Sequence, residues 1–276
     1  MRSVLRFACV WLIASVVAGT AQASPRSDAV LDALRVSELL EIMETESEAS
    51  GAELNENMLG GTGGASWIET VRRINDAERM ERELRAAFAE AMPDEHTEDA
   101  TAFLTSDQGE KIVELELSAR EALLDPAIDD MNQAAMRELR ESGDPRFAMI
   151  TRFVEVNNLV DANVAGALTG NVAFLRGLRI GGFPAYERAS DADLIAEVWA
   201  REPELRSETE DWVYAYLTLA YGPLEDSDLE TYIAFSETET GQALNGALFT
   251  AFDEVFTDAS QSLGEAVARY LTAEEI

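Results

Sequence analysis

The chain has 276 residues, with 53 acidic side chains against 21 basic ones, and its net charge at neutral pH is −32. A field of this sign repels the phosphates of nucleic acids and of anionic lipid surfaces, so the composition disfavours binding to either. The single cysteine, Cys9, and the single histidine, His96, leave too few ligands for a zinc site and no surplus histidine for a catalytic triad.

Residues 1–23 have the composition of a secretory signal peptide. Arg2 and Arg6 precede an apolar run over residues 7–18, and Ala21-Gln22-Ala23 has the small-residue pattern of a cleavage site. The apolar run is shorter than the roughly 20 residues that a bilayer-spanning helix needs. We therefore predict a cleaved signal peptide, a periplasmic mature protein without cysteine, and no stable membrane insertion after cleavage.

The remaining sequence has the periodicity of helices. Apolar residues recur at spacings of three and four, and no useful length of chain alternates with the period of a strand. A first helix is predicted from Ser27 to about Thr45, and the glycine-rich residues 60–64 interrupt the pattern after a weaker segment. Asp125-Pro126 combines a cap with a proline at the first helical position, which predicts another helix. The pattern as a whole predicts an all-α fold.

One short motif occurs twice, with the form A-F-x-x-[ST]-x-x-G. Its characteristic residues in the two copies are Phe103, Ser106, Gly109 and Phe235, Thr238, Gly241. A hydroxyl residue after an apolar run can cap a new helix, so each copy predicts a sharp corner between two helices. Glycine at the third position of the second helix is unfavourable by about 1 kcal/mol, which indicates that a neighbouring backbone comes close at that point.

Two further pairs of features have the same separation as the two corners. Trp199 lies 132 residues after Trp67, and residues 207–210 lie 132 residues after the capping-box pattern of residues 75–78. Three features at one offset predict an internal duplication. The predicted architecture is two tandem helical bundles related by that duplication.

The boundary between the two repeats is predicted at Ser142-Gly143-Asp144-Pro145, where a helix stop precedes a helix start. We assign residues 24–143 to the first helical repeat and residues 144–276 to the second. The sequence leaves open whether the repeats stack as one unit or are joined only at residues 142–145. The second repeat has the longer closing helix and an insertion upstream of Trp199.

The duplicated corner resembles the exported bacterial family known as domain-of-unknown-function family 2059, in which an F-x-x-S-x-x-G corner follows an acidic helix. The resemblance covers residues 67–124 and 199–256, which would be two tandem copies. The proline that often follows the serine in the family is Asp107 or Glu239 here, and the second copy has threonine in place of serine. The resemblance implies an exported helical domain and brings no assigned activity with it.

The insertion over residues 171–186 concentrates apolar and basic side chains in an otherwise acidic chain. The candidate partner-binding residues are Phe174, Arg176, Arg179 and Phe183, and the glycines of the insertion predict a mobile segment. The partner would be another protein of the envelope. The alternative is that the insertion covers the core of the second repeat. Core and rim packing is the predicted role of the aromatic residues that follow: Trp212, Tyr214, Tyr216 and Tyr221.

One segment resembles an enzyme. Glu141-Ser142-Gly143 is similar to the glutamate-serine-glycine turn of lytic transglycosylases, in which a buried glutamate is the general acid. The glycine-leucine-x-glutamine segment of that family is absent, and a helix C-cap also explains the turn. We predict no catalytic, cofactor-binding or metal-binding residue, and a non-enzymatic periplasmic binding or interaction protein of the cell envelope. The alternatives are a carboxylate-dependent peptidoglycan-cleaving enzyme and a structural or chaperone-like accessory protein.

Overall fold

A computed structural model of the protein describes residues 25–273, which form thirteen α-helices and no strand. The helices are α1 (Pro25–Ala33), α2 (Val36–Met58), α3 (Gly64–Ile74), α4 (Ala77–Ala91), α5 (Asp94–Leu104), α6 (Asp107–Ala122), α7 (Pro126–Ser142), α8 (Pro145–Val156), α9 (Leu159–Ile180), α10 (Asp191–Trp199), α11 (Glu202–Tyr221), α12 (Asp226–Ser236) and α13 (Glu239–Ala273). The all-α prediction is confirmed. The predicted signal peptide lies outside the described residues.

Several helix boundaries follow from local sequence, as predicted. The carboxylates of Asp76, Asp125 and Asp144 each accept a hydrogen bond from a backbone N–H group in the first turn of the following helix. Gly143 adopts φ 66° and ends α7, a conformation that glycine reaches without the steric penalty of a side chain. Residues 59–63 separate α2 from α3, and Gly64 is the first residue of α3, so the interruption predicted at residues 60–64 is confirmed except at its last residue.

Two predicted helix boundaries are wrong. The single helix predicted from Ser27 to Thr45 is divided at Arg35, which adopts φ 52° and lies between α1 and α2. The guanidinium of Arg35 bonds to Glu38 and to Glu114 of α6, so tertiary contacts hold this residue in a conformation that no local signal marks. The helix start implied by the correspondence of residues 207–210 with the capping-box pattern lies inside α11, which begins five residues earlier at Glu202.

The paired tryptophans have dissimilar surroundings. Trp67 is fully buried, and its indole N–H donates to the carbonyl oxygen of Gly51 over 2.7 Å. Trp199 is 58% exposed at the end of α10. A separation of 132 residues therefore relates these two side chains in sequence but not in environment.

The two corners, in contrast, have the same geometry. The Ser106 hydroxyl donates to the carbonyl oxygen of Phe103 over 2.6 Å and accepts from the backbone N–H of Gly109. The Thr238 hydroxyl makes the equivalent pair of bonds, with 2.6 Å to the carbonyl oxygen of Phe235. A Cβ atom on Gly109 would lie 2.2 Å from the Phe103 carbonyl oxygen, and Gly241 has the same relation to Phe235. Neither glycine position leaves room for a side chain.

The corners also contact each other. The Phe103 and Phe235 rings stack with centroids 3.9 Å apart and planes at 2°. Because these residues occupy the same position in the two motifs, the contact joins the two motifs through equivalent side chains. The two corners therefore meet through the faces of these two partly buried rings.

A second set of contacts around the corners is reciprocal. The Gln108 side chain donates to the carbonyl oxygen of Asp228 over 2.8 Å. The Thr240 hydroxyl lies 3.0 Å from Nδ1 of His96. Thr240 is 132 residues after Gln108, and Asp228 is 132 residues after His96. The same two positions are thus in contact twice, with the halves of the chain exchanged, as they would be across a two-fold axis.

The hydrophobic cores draw residues from both sides of the predicted boundary at residue 143. The first core joins α1, α2, α4 and α5 to the α13 residues Leu244, Ala251 and Val255. The second core joins α8, α11 and α12 to Ile112 and Ala119 of α6. A third core joins the end of α2, α3, α9 and the end of α13, with the fully buried Trp67 at its centre. The assignment of residues 24–143 and 144–276 to two repeats stays a prediction.

Candidate functional site

A cleft of about 490 Å³ lies between five helices, α2, α6, α7, α11 and α13. Apolar side chains contribute to its lining, among them Met43, Leu205 and Phe256. Polar groups in the lining include the following charged residues: Glu46, Arg120, Asp130, Arg137, Glu208 and Asp211. The lining is about equally polar and apolar, and charged groups that converge on a cleft can orient a ligand.

One wall of the cleft is a stack of aromatic and charged groups. The guanidinium of Arg120 forms two hydrogen bonds to the Glu46 carboxylate, at 2.9 and 2.7 Å. The same guanidinium lies 5.9 Å from the centroid of the Trp212 ring, which stacks on Tyr216 with planes at 1°. Bidentate pairing and stacking both fix the orientation of a guanidinium. This wall is therefore held in place by contacts from three helices.

A further part of the lining comes from α7, which contributes Asp129, Asp130, Gln133 and Arg137. Nε of Arg137 donates to the carbonyl oxygen of Gln133 within the same helix. Among residues 25–273, no carboxylate lies within ion-pair distance of Arg137, in contrast to Arg120. A basic side chain that faces a cleft without a carboxylate partner is available to a ligand.

A half-buried carboxyl group, that of Glu116, lies on α6 one turn before Arg120 and outside the lining of the cleft. The hydroxyl groups of Tyr221 and Tyr232 donate to Oε1 of Glu116, over 2.6 and 3.4 Å, and Tyr216 donates to its backbone carbonyl oxygen. Burial raises the pKa of Glu116, although the two tyrosine hydrogen bonds act in the opposite direction. The network connects α6 to α11 and α12, and the fully buried Tyr221 covers it from one side.

Sequence reasoning missed Glu116. The available signal was a glutamate within the apolar stripe of α6, beside Leu117 and one turn after Ile112. Such a residue is normally placed on the solvent face, so a carboxylate at an inward position indicates a buried polar network. The partners of Glu116 come from helices about a hundred residues away, and no local pattern identifies them.

A buried acid lies on α13. Asp253 is 5% exposed, and within the described residues its Oδ1 atom has no hydrogen-bond partner. Burial, with a smaller contribution from the charge of Glu254, raises the pKa of Asp253 to about 9. This carboxyl group is therefore protonated in the folded protein at neutral pH.

The predicted partner-binding residues are mostly engaged within the fold. Phe174 is 4% exposed and belongs to the third core. The guanidinium groups of Arg176 and Arg179 lie 3.0 and 2.7 Å from the carboxylate of Asp191. Phe183 packs against the third core. The structure brings the four residues to one end of α9, with Phe174 inaccessible from solvent.

The prediction that the insertion is mobile is wrong for residues 171–180, which are helical and belong to α9. Gly177 lies at a contact with α13, where a Cβ atom would be 2.1 Å from the carbonyl oxygen of Gln261. Glycine is present at position 177 because the backbones of α9 and α13 touch there. From the sequence alone, a glycine needed for close packing looks the same as a glycine that makes a segment flexible.

The residues considered for catalysis and metal binding lie apart. Glu141 is exposed near the end of α7 and does not line the cleft. Over residues 25–273, no three His, Asp or Glu side chains come together in a way that would hold a metal ion. The same range contains no helix with the length and apolar character needed to cross a membrane.

The comparisons with known proteins give one match. No curated protein and no solved structure matches the chain. Residues 78–138, which run from the start of α4 into α7, match the model of a bacterial family described as "Uncharacterized protein conserved in bacteria (DUF2059)". The match contains the first corner and one wall of the cleft, and it supports the resemblance to this uncharacterised bacterial family for one copy of the unit.

Proposed function

We propose that the protein is a non-enzymatic binding protein of the bacterial cell envelope and that its ligand occupies the cleft between α2, α6, α7, α11 and α13. The observation that supports this is the cleft itself, with its 490 Å³ volume and mixed lining. Trp212 supplies an aromatic surface, and Arg137 supplies a charge that no carboxylate within residues 25–273 neutralises. In ligand sites, apolar surface supplies most of the contact, and a few polar groups orient the ligand and give selectivity.

Filling the cleft tests this proposal. Ser50 lines the cleft on α2, whereas the adjacent Ala49 is exposed on the same helix and is not part of the lining. We expect protein recovered from its native envelope fraction to carry a bound species by native mass spectrometry. That species is lost in the Ser50→Trp variant and kept in Ala49→Trp.

Thermal unfolding of both variants shows whether they fold. Retention of the bound species in a folded Ser50→Trp variant contradicts the proposal, as does the absence of any bound species from the unmodified protein.

We also propose that the protein acts in the periplasm, after removal of residues 1–23. The support is the basic start, the apolar run and the Ala21-Gln22-Ala23 pattern, together with a match to a bacterial family. A surface formed by Arg176, Arg179 and Phe183 is a second proposed contact with an envelope partner, although Asp191 already pairs with both arginines.

We further propose that the chain consists of two duplicated helical repeats, residues 24–143 and 144–276, that exchange helices. The support is the equal geometry of the two corners and the reciprocal contacts around them. The helix after each corner packs against the other half of the chain, α6 on α11 and α13 on α4. Such an arrangement resembles a helix-exchanged dimer in which the two subunits are joined.

Equivalent substitutions at the two corners test the duplication. Ser106→Ala and Thr238→Ala each remove a cap from the helix after a corner, and each is expected to lower the free energy of unfolding by about 1 kcal/mol. Urea denaturation of the single variants measures both values. Losses that differ by more than about 1 kcal/mol would indicate that the corners are not equivalent in energy. Ser142→Ala, at an exposed site that caps no helix start, is the control.

A further inference from the structure

The lining of the cleft carries more negative than positive charge. It contains five carboxylates and two guanidinium groups, a net charge of −3, in a chain whose net charge is −32. A cleft lined by an excess of one sign of charge concentrates ligands of the opposite sign. The cleft therefore favours a ligand with a net positive charge.

Three of the carboxylates already have partners. The Glu46 carboxylate accepts two hydrogen bonds from Arg120, and a carboxylate oxygen of Asp211 lies 3.7 Å from a guanidinium nitrogen of Arg140. Asp129 also has a partner within the protein. These internal interactions leave the other two carboxylates of the lining to a ligand.

Three charged groups of the lining have no such partner. Within residues 25–273, the carboxylates of Asp130 and Glu208 form no hydrogen bond or ion pair, and the Arg137 guanidinium bonds only to a backbone carbonyl oxygen of its own helix. All three residues are exposed, so they lie at the mouth of the cleft. A ligand that neutralises all of them carries two positive charges and one negative charge.

A fourth polar group without a partner lies deeper in the cleft. Thr209 lines the cleft and is 3% exposed, and in the part of the chain that the structure describes its hydroxyl group forms no hydrogen bond. The fully buried side-chain atoms that lack a partner there belong to Arg176, Thr218 and Asp253, and the Thr209 hydroxyl is not among them. This hydroxyl is therefore open to the cleft, where it can bond to a polar group of a ligand.

The opposite charges on α7 set the length of the ligand. Asp130 and Arg137 are two turns apart on one face of the helix, so their Cα atoms are separated by about 10 Å. An extended peptide covers at most about 3.5 Å per residue, so about three residues span this distance. A single amino acid carries its α-ammonium and carboxylate groups on one carbon atom and is too short to place them at both charges.

We propose that the cleft binds short peptides with a net positive charge, about three residues in length. The carboxylate of the peptide bonds to Arg137, and its amino terminus lies at Asp130. A lysine side chain of the peptide pairs with Glu208, and a backbone polar group bonds to the Thr209 hydroxyl. This inference rests on the proposed binding role of the cleft and adds the class of ligand.

Isothermal titration calorimetry of the purified protein with the tripeptide lysyl-leucyl-glycine tests this class. We expect saturable binding that weakens as the salt concentration rises, since the charges involved are exposed. Glutamyl-leucyl-glycine has the same length and the opposite net charge, and we expect no binding of this control peptide. Equal binding of the two peptides, or no binding of the lysyl peptide, overturns the inference.

Arg137→Gln tests the position of the peptide carboxylate. It should weaken the binding of lysyl-leucyl-glycine about five-fold, as expected for the loss of an exposed ion pair. The carboxy-terminal amide of the same peptide lacks the negative charge, so it should bind the unmodified protein and Arg137→Gln with equal affinity. A loss that is the same for both peptides would show that Arg137 supports the fold and does not bind the carboxylate.

Glu208→Gln should also weaken the binding of lysyl-leucyl-glycine about five-fold. Glu210→Gln is the matched control, because Glu210 is exposed on the same helix, carries an equal charge and lies outside the lining. Equal effects of the two substitutions would mean that the peptide responds to the overall charge of the protein, which contradicts binding in the cleft.

The Ser50→Trp variant separates this inference from the proposed function. If native mass spectrometry finds an anionic or uncharged species that Ser50→Trp loses, the cleft is a ligand site but basic peptides are not its ligands. If lysyl-leucyl-glycine binds Ser50→Trp as tightly as it binds the unmodified protein, the peptide does not occupy the cleft, and the inference is wrong whatever species the cleft holds.

Discussion

The Gly264→Ala variant is expected to lose about 3 kcal/mol or more in the free energy of unfolding. The added methyl group would overlap backbone atoms, which cannot move aside unless a whole helix shifts. A Cβ atom at this position would lie 2.1 Å from the carbonyl oxygen of Phe174 and 3.0 Å from the backbone nitrogen of Leu178. These atoms belong to α9, which runs alongside α13 in the same direction. The clash is with backbone, so one of the two helices has to shift and the third core opens with it.

Gly246→Ala is the control for this prediction, in the same helix. Gly246 is exposed, and a Cβ atom there would meet nothing within 4 Å. Alanine at an open helical site should stabilise the protein by about 0.5–1 kcal/mol, since glycine loses more backbone conformational entropy on folding than alanine does. Urea denaturation of both variants gives the comparison. Equal effects at the two positions would mean that the close contact between α9 and α13 does not exist in solution.

The Asp253→Asn variant is expected to be more stable than the unmodified protein at neutral pH. The pKa of Asp253 is about 9 in the folded protein, far above its ordinary value near 4, because the side chain is buried without a hydrogen-bond partner for Oδ1 within the described residues. Because the pKa of Asp253 is higher in the folded protein than in the unfolded chain, the carboxyl group of the unfolded chain loses its proton at a lower pH. The stability linked to this group is complete below about pH 4 and falls as the pH rises towards 9.

Asparagine removes this pH dependence while keeping the shape of the side chain. The gain at pH 7 has an upper limit of about 4 kcal/mol, from roughly 1.4 kcal/mol for each of the three pH units between the unfolded-state pKa near 4 and pH 7. Urea denaturation of both proteins at pH 4, 5.5 and 7 should show a difference that grows with pH. Glu254→Gln, at the exposed neighbouring position, removes a charge and should change stability only slightly. A difference independent of pH would show that Asp253 titrates normally.

The parts of the fold that could be predicted are those set by neighbouring residues. Asp125-Pro126 and Gly143 mark the two ends of α7 because a cap, a proline and a left-handed glycine each act within one turn of the helix. The division at Arg35 has no such mark, since its contact with Glu114 joins residues that are far apart in sequence. The start of α11 differs for another reason: Ser207 has the form of a cap, but the helix begins at Glu202 with Pro203 in its first turn.

The candidate site could be predicted only in fragments. Trp212 was recognised as an aromatic packing residue, but its partner Arg120 and the carboxylate of Glu46 lie on two other helices. A cleft between five helices depends on how those helices pack, which periodicity does not determine. Gly177 shows the same limit, because the sequence indicates a glycine but not the backbone of α13 against which it lies.

The last helix of the chain also determines when the protein can fold. At 35 residues, α13 is about 52 Å long, and it contributes to both the first and the third core. During synthesis α13 emerges after α4 and α9, so a nascent chain that stops before residue 239 lacks residues that close these two cores. The native packing of both cores therefore requires residues 239–273, and a fragment without them leaves the apolar faces of α4 and α9 exposed to solvent.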